Sequence, residues 1–207
     1  MKALIIVDIQ NDFLPGGALA VEFGDQIIPT VNKIMPQFDL VVATQDWHPA
    51  NHQSFASNQP HGEVGQVIDL YGLKQVLWPD HCIQDTLGAS FADELNLSLN
   101  RKIFRKGTDP RVDSYSGFFD NGKKQDTGLA AFLQSNGIST VFIVGLATDY
   151  CVKYTALDAV ALGFNTWVIV DAVKAVNLQP NDQQDAFNQM AQAGVKVCNS
   201  DELPGKL

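Results

Sequence analysis

Residues 140–163 read TVFIVGLATDYCVKYTALDAVALG, and this stretch decides the fold. Thr140 to Val144 is a short apolar, β-branched run, the composition of a strand buried on both faces of a parallel sheet. Gly145 ends it. Val152, Ala156, Ala159 and Val160 then recur at helical spacing and Gly163 supplies the stop, so a helix is expected to begin close to Asp149 and Cys151. Cys151 therefore sits at a strand-to-helix junction. Backbone N–H groups there are unpaired and carry the positive end of the helix dipole, which is expected to lower the thiol pKa and can hold a developing oxyanion. Two readings remain open for this cysteine: a nucleophile beside its own oxyanion site, or a small buried hydrophobe.

Working outward, Ala3 to Val7 is a second apolar run with Asp8 at its C-terminal end. In open parallel sheets ligands bind beyond the carboxyl ends of the strands, so an acid at that position faces the site rather than the core. Further strands are expected at Leu40 to Thr44, Ile103 to Phe104, Trp167 to Val170 and Val195 to Cys198. Helical periods are carried by Ile27, Ile28, Val31, Ile34 and Met35, with Asp25 as cap; by Leu129, Phe132 and Leu133 behind Asp126 or Thr127; and by Ala186, Phe187 and Met190 within Gln184 to Ala193. A short helix is expected over Phe91 to Leu97. Strands alternate with helices, which predicts an α/β fold: a mainly parallel six-stranded sheet between helical layers.

The chain has 207 residues, 45% hydrophobic and only 18% charged, which fits one domain, 1–207, with a well-covered interior. The formal net charge of −9 argues against nucleic acid or an anionic membrane as partner and for a small neutral or cationic ligand. Cysteines at 82, 151 and 198 are odd in number and widely spaced, which implies no disulfide framework and favours the cytoplasm. The N-terminal apolar run is cut short by Asp8, too early for a signal peptide. Whether the chain is a monomer or a homo-oligomer is left open.

Between about residues 45 and 100 regular patterning fades, and a loop of that length in a compact domain is expected to be functional. It holds all four histidines of the protein. Asp46, His48, His52 and His81 offer a carboxylate and imidazoles suited to a borderline divalent cation such as zinc, iron or manganese, whereas His61 reads as ordinary surface. Asp8, Lys106 and Cys151 form a second constellation, each at a strand end: a carboxylate base, an ammonium and a thiol. The basic run Arg101, Lys102, Arg105, Lys106 surrounds the lysine. Gly117 to Lys124, GFFDNGKK, approaches a phosphate-binding loop, but Lys124 stands where a hydroxyl is required and no apolar strand precedes it. No G-x-G-x-x-G follows the first strand, so no nucleotide cofactor is expected.

The segments LIIVDIQNDFLPGGALAV (4–21), TQDWHPANHQSFA (44–56), WPDHC (78–82), FRKG (104–107), DSYSGFFDN (113–121) and VGLATDYCV (144–152) resemble, in order, the signatures of the nicotinamidases, a family of the isochorismatase-like cysteine hydrolase superfamily. The resemblance spans nearly the whole chain and implies a three-layer, Rossmann-like topology. It makes Asp8 the general base, Lys106 the catalytic lysine and Cys151 the nucleophile. It makes Asp46, His48 and His81 the ligands of one divalent metal, zinc with iron or manganese as alternatives, with His52 a fourth ligand or a neighbour of the ligands. The peptide joining Leu146 to Ala147 matches one that is cis in the superfamily, which would aim the N–H of Ala147, with that of Cys151, at the oxyanion. Phe13, Trp78 and Tyr115 match the aromatic walls of the substrate pocket. The implied activity is hydrolysis of nicotinamide to nicotinate and ammonia, and of pyrazinamide to pyrazinoate, in NAD salvage.

Overall fold

The computed structural model describes residues 1–97 and 102–205; Arg101 and the end of the long loop fall outside the described residues. Six strands make one sheet: β1 (Lys2–Val7), β2 (Leu40–Asp46), β5 (Lys102–Lys106), β6 (Thr140–Leu146), β7 (Asn165–Lys174) and β8 (Lys196–Cys198), in the order β5-β2-β1-β6-β7-β8. Every neighbouring pair is parallel. Alternate residues serve opposite faces. Leu4, Ile6, Val41, Ala43, Phe142 and Val144 pack into one apolar layer. Ala3, Ile5, Val7, Val42, Val141 and Ile143 pack into the other. Burial on both faces is why these strands read as unbroken apolar runs.

The two covering layers differ. One is built from α2 (Leu129–Ser135), α3 (Lys153–Ala161) and α4 (Asp182–Gln192), through Leu129, Leu133, Ala156, Ala159, Ala186 and Met190. The other holds α1 (Ile28–Ile34), with Pro29 in its first turn, and otherwise irregular chain from residues 82–97. The helix expected over Phe91 to Leu97 does not form. Phe91 bridges Gln10 instead, and the backbone spends its hydrogen bonds on the segment after β1: Ala92 N–H donates to the Ile9 carbonyl at 3.1 Å and Asn11 N–H to the Ser90 carbonyl at 2.9 Å. Asp25 is no cap either, because a 3-10 turn, Gly24–Ile27, already surrounds it. At α2, Thr127 Oγ1 takes the Leu129 N–H at 3.2 Å while Gly128 occupies the cap position itself.

The long loop is better ordered than its composition suggests. It contains a hairpin, β3 (Val67–Leu70) with β4 (Leu73–Val76), turned by Tyr71 and Gly72, both at positive φ as a type I′ turn requires. The phosphate-loop look-alike also resolves: the amides of Lys124 and Gln125 donate to the Asp120 carboxylate, each at 2.9 Å, and are spent within the chain.

Four adjacent strands, β5, β2, β1 and β6, end side by side, so their C-terminal residues share one rim. Gly145 is what lets β6 approach β1 there. Its φ is +117°, and a Cβ at that position would run into the Val7 backbone carbonyl. Gly145→Ala therefore combines an unfavourable backbone conformation with a contact the backbone cannot relieve, and should lower unfolding stability by about 3 kcal/mol or more. The urea midpoint measures it, and an unchanged midpoint would contradict this account of the rim.

Candidate active site

Lys106, the last residue of β5, pairs in register with Asp46, the last residue of β2. Asp8 directly follows β1, and Cys151 lies in a wide helical turn, Thr148–Val152, directly behind β6 and ahead of α3. A positive φ of 48° at Asp8, a conformation aspartate tolerates better than most residues, turns the chain at the strand end. The result is a buried cluster around Lys106 Nζ: Asp8 Oδ2 at 2.9 Å, Asp46 Oδ1 at 2.9 Å, the Ser114 carbonyl at 2.8 Å and Cys151 Sγ at 3.5 Å.

The protonation states follow from burial and charge. Burial alone would strip the proton from Lys106, but Asp46 and Asp8 beside it hold its pKa well above the ordinary lysine value. Asp8 is pushed up by burial, against the pull of Lys106. Thr44 Oγ1 donates to its Oδ1 at 2.6 Å. Its Oδ2, although only 2.9 Å from the ammonium, lies off the line of a hydrogen bond. A lone pair there remains open to take the Cys151 proton, since Asp8 Oδ2 and Cys151 Sγ both stand beside Lys106 Nζ. Cys151 itself departs from expectation. Burial, with Asp8 and Asp46 close by, drives its pKa well above the ordinary thiol value despite Lys106. The resting group is a thiol, and its proton needs an acceptor.

Asp46 uses its other oxygen elsewhere. His48 Nε2 stands 3.0 Å and His81 Nε2 3.4 Å from Asp46 Oδ2. Both rings are fixed from behind: His48 Nδ1 faces the Gly107 carbonyl at 2.9 Å and His81 Nδ1 the Pro79 carbonyl at 2.7 Å. A carbonyl can only accept, so the ring protons sit on Nδ1 and both Nε2 lone pairs turn toward Asp46. Lone pairs that converge in this way need a cation between them. Ligands about 2.0–2.1 Å from a shared ion at tetrahedral or right angles lie about 2.9–3.4 Å apart, which matches the observed spacings. Gly107 permits this packing, since a Cβ there would come 2.6 Å from His48 Nδ1.

His52 is buried beside His48, ring centroids 4.4 Å apart. Its Nδ1 receives the Ser54 backbone N–H at 3.2 Å and lies 2.7 Å from Ser54 Oγ, so Nδ1 is the bare nitrogen and Nε2 carries the proton. A protonated Nε2 has no lone pair to offer an ion, and among the described residues it finds no hydrogen-bond acceptor. Burial and His48 depress the His52 pKa to about 4, keeping the ring neutral.

One cavity connects the two constellations. Phe13, Trp78 and Tyr115 line it together with Cys151, Ala147, Asp46 and His81. The Leu146–Ala147 peptide bond is cis. Trp78 Nε1 and Gln75 Nε2 donate to the Tyr115 hydroxyl at 3.1 and 3.2 Å, and Gln75 also reaches Asp113 Oδ2 at 2.9 Å. Leu19, Asp113, Tyr150 and Val176 complete the lining. Leu19, Asp113 and Tyr150 lie within the segments quoted above without being named there, and Val176 lies outside them; the fold is what brings the four together. A larger cleft, about 770 Å³, opens elsewhere, between Asp12 to Gly17 and Pro29, Asn32 and Glu94. It contains no member of either constellation, so the chemistry locates the site in the smaller cavity.

The isochorismatase domain family matches residues 2–202. The chain belongs to the isochorismatase family. Within this family it is 48% identical to the nicotinamidase of Escherichia coli over 95% of this chain and 93% of that protein. The solved nicotinamidase/pyrazinamidase of Acinetobacter baumanii superposes with a TM-score of 0.95 at 48% identity, covering 98% of this chain and 97% of that one. The pyrazinamidase of Pyrococcus horikoshii, solved in complex with zinc, superposes with a TM-score of 0.79 at 41% identity over 96% and 98% of the two chains. That complex and the convergent donors described above support a divalent metal in this member of the isochorismatase family.

Removing a donor should be legible as lost metal. His48→Ala and His81→Ala are each expected to weaken divalent-metal binding by more than about 100-fold, and His52→Ala by about tenfold, the range of groups that touch ligands without ligating. Metal content after dialysis, by mass spectrometry, ranks them. Equal losses in all three would make His52 a ligand.

Proposed function

We propose that the protein hydrolyses nicotinamide to nicotinate and ammonia, and pyrazinamide to pyrazinoate, through a thioester on Cys151. A single isochorismatase-like domain over residues 1–207 carries the activity. The observation that carries the reading is the meeting of Asp8, Lys106 and Cys151 at a cavity with aromatic walls that also reaches Asp46 and His81. The 48% identity to a nicotinamidase supports the choice of substrate within the family.

Asp8 takes the Cys151 thiol proton as Sγ attacks the amide carbon. The N–H groups of Ala147 and Cys151 stabilise the oxyanion of the tetrahedral adduct. Its collapse breaks the C–N bond while Asp8 returns the proton to the leaving nitrogen, so ammonia departs and a thioester remains. Water then attacks the thioester, giving a proton to Asp8; the second collapse expels the sulfur, which takes that proton back from Asp8 as the thiol, and the nicotinic acid released loses its remaining proton to solvent as nicotinate. Lys106 stays charged throughout and offsets the negative charge that passes between Sγ and Asp8. Asp46, His48 and His81 would hold one divalent ion, zinc or alternatively iron or manganese, which when bound supplies an electrophile for the pyridine nitrogen and fixes the ring. Phe13, Trp78 and Tyr115 flank that ring. A net charge of −9 supports a small-molecule partner over nucleic acid or anionic lipid. Three buried, unbridged cysteines fit the cytoplasm, and among the described residues no helix is long and apolar enough to cross a membrane.

Cys151→Ala should lower ammonia release from nicotinamide by at least about 10⁴-fold while leaving metal content and ligand binding in place. Retained turnover in that variant would refute the thioester. The pH profile supplies a second check. Asp8 works only when ionised and burial raises its pKa, so kcat/KM should fall with decreasing pH through a value above the ordinary 3.8. The assay is run with metal content monitored at each pH. An acid limb at or below 3.8 would remove Asp8 from the role of base.

A further inference from the structure

Asp149 is a buried carboxylate, 3% exposed, that none of these steps uses. It lies in the wide turn between Thr148 and Tyr150, yet its oxygens turn away from the cluster around Lys106. Oδ1 accepts the backbone N–H of Val176 at 3.0 Å and Oδ2 that of Asn177 at 2.8 Å. These two residues belong to the crossing from β7 to α4. Val176 is half-buried and lines the same cavity as Phe13, Trp78 and Tyr115, whereas Asn177 is exposed at a φ of +53°. Asn177 Oδ1 takes the Gln183 N–H at 3.0 Å and so ties the crossing to the first turn of α4. The crossing is therefore pinned from within by Asp149 and from without by α4, and beyond that pin the chain surfaces, with Leu178 42% exposed.

A carboxylate gripping two successive amides fixes position and direction together, since each bond is charge-assisted and the two oxygens are rigidly spaced. We infer that Asp149 is a positioning residue that holds Val176 against the substrate ring, and that Val176 limits the ring substituents the cavity admits on that side. The inference rests on the cavity being the ring site, as proposed above. Asp149 acts on the wall and not on the nucleophile, although only Tyr150 separates it from Cys151 in the chain. The carboxylate bonds run to the β7–α4 crossing, while the turn holding Cys151 is closed by its own backbone, with the N–H groups of Tyr150 and Val152 donating to the Ala147 carbonyl.

Asp149→Asn keeps the volume but puts an NH₂ group against one of the two amides. Expected is a rise of about tenfold in KM for nicotinamide, the scale of a displaced apolar contact, with a smaller change in kcat and an alkylation rate of Cys151 by iodoacetamide within about twofold of wild type. Hydrogen exchange should show the Val176 and Asn177 amides protected in wild type and open in the variant. Val176→Ala leaves the backbone bonds in place, and with ring-methylated nicotinamides it should raise kcat/KM relative to nicotinamide by about tenfold for at least one position. In the double variant the KM effect should not add, because the side chain being positioned is gone. A KM unchanged in Asp149→Asn, a drop in kcat matched by slower alkylation, or unchanged ratios in Val176→Ala would each overturn the inference. Wild-type protein inert toward nicotinamide would overturn the substrate reading instead, and hydrogen exchange would still report on the clamp.

Discussion

Everything at the rim depends on one buried ammonium. Lys106 lies 2.9 Å from each of two carboxylates, one directly after β1 and one at the end of β2, and 3.5 Å from a sulfur that follows β6. Removing a lysine charge from water is unfavourable by several kcal/mol, and attraction to Asp8 and Asp46 is what compensates for it. Two carboxylates share one ammonium, however, so the cluster carries an excess negative charge whenever both are ionised. Burial is the main reason that Asp8 and the Cys151 thiol are both harder to ionise than usual, and the neighbouring carboxylates add to it against the pull of Lys106. A thiolate formed at rest would be a third anion in a site with one cation. Proton transfer to Asp8 as Sγ attacks avoids that state, because the negative charge moves between groups and is never added.

This also explains where sequence reasoning about Cys151 fell short. A strand-to-helix junction was legible from Thr140 to Gly163, and so was the position of the sulfur within it. The sign of its pKa shift was not, because the expected helix-end effect is a fraction of a charge set against full burial and two carboxylates. The carboxylates come from positions 8 and 46, and only the sheet order β5-β2-β1-β6 puts them beside residue 151. Strand ends, by contrast, leave a trace: Asp8 directly closes an apolar run, and Asp46 and Lys106 each follow an apolar or β-branched one with a single polar residue between. The sheet was readable for the same reason, since strands buried on both faces leave continuous apolar signatures.

The region between β2 and β5 was the least legible. Its hairpin covers one face, with Leu70 and Gln75 buried and Ile68 and Leu73 half-buried, but an apolar Val67 stands on the exposed face and a polar Gln75 on the covered one, so the alternation that betrays a half-buried strand is weak. Yet that hairpin supplies Gln75, whose amide ties Asp113 and Tyr115 together behind the aromatic wall. The Phe91 to Leu97 stretch shows the opposite failure. Its apolar residues are as buried as a helix would make them, but their backbone is claimed by the loop after β1. Apolar spacing reports burial, and it reports helix only when the backbone has no better partner. Leu19, Asp113, Tyr150 and Val176 belong to loops or turns, and no local pattern says which loops meet.

Asp46 joins the two halves of the site. Its Oδ1 serves Lys106 and its Oδ2 faces both histidines, so a cation bound between His48 and His81 would draw on the same carboxylate charge as the ammonium of Lys106. Charge drawn toward Oδ2 leaves Lys106 less neutralised, and a less neutralised Lys106 is a better counter-ion for negative charge on Sγ. In the proposed mechanism the ring-anchoring end and the bond-breaking end would thereby be coupled through one side chain. Replacing Asp46 by a neutral group would disturb both, so its loss could not be read as loss of metal alone. His81 is the cleaner probe, because its contacts run to Asp46 Oδ2, to the Pro79 carbonyl and to the His48, Phe13 and Phe55 rings, and among the described residues none runs to Lys106 or Cys151.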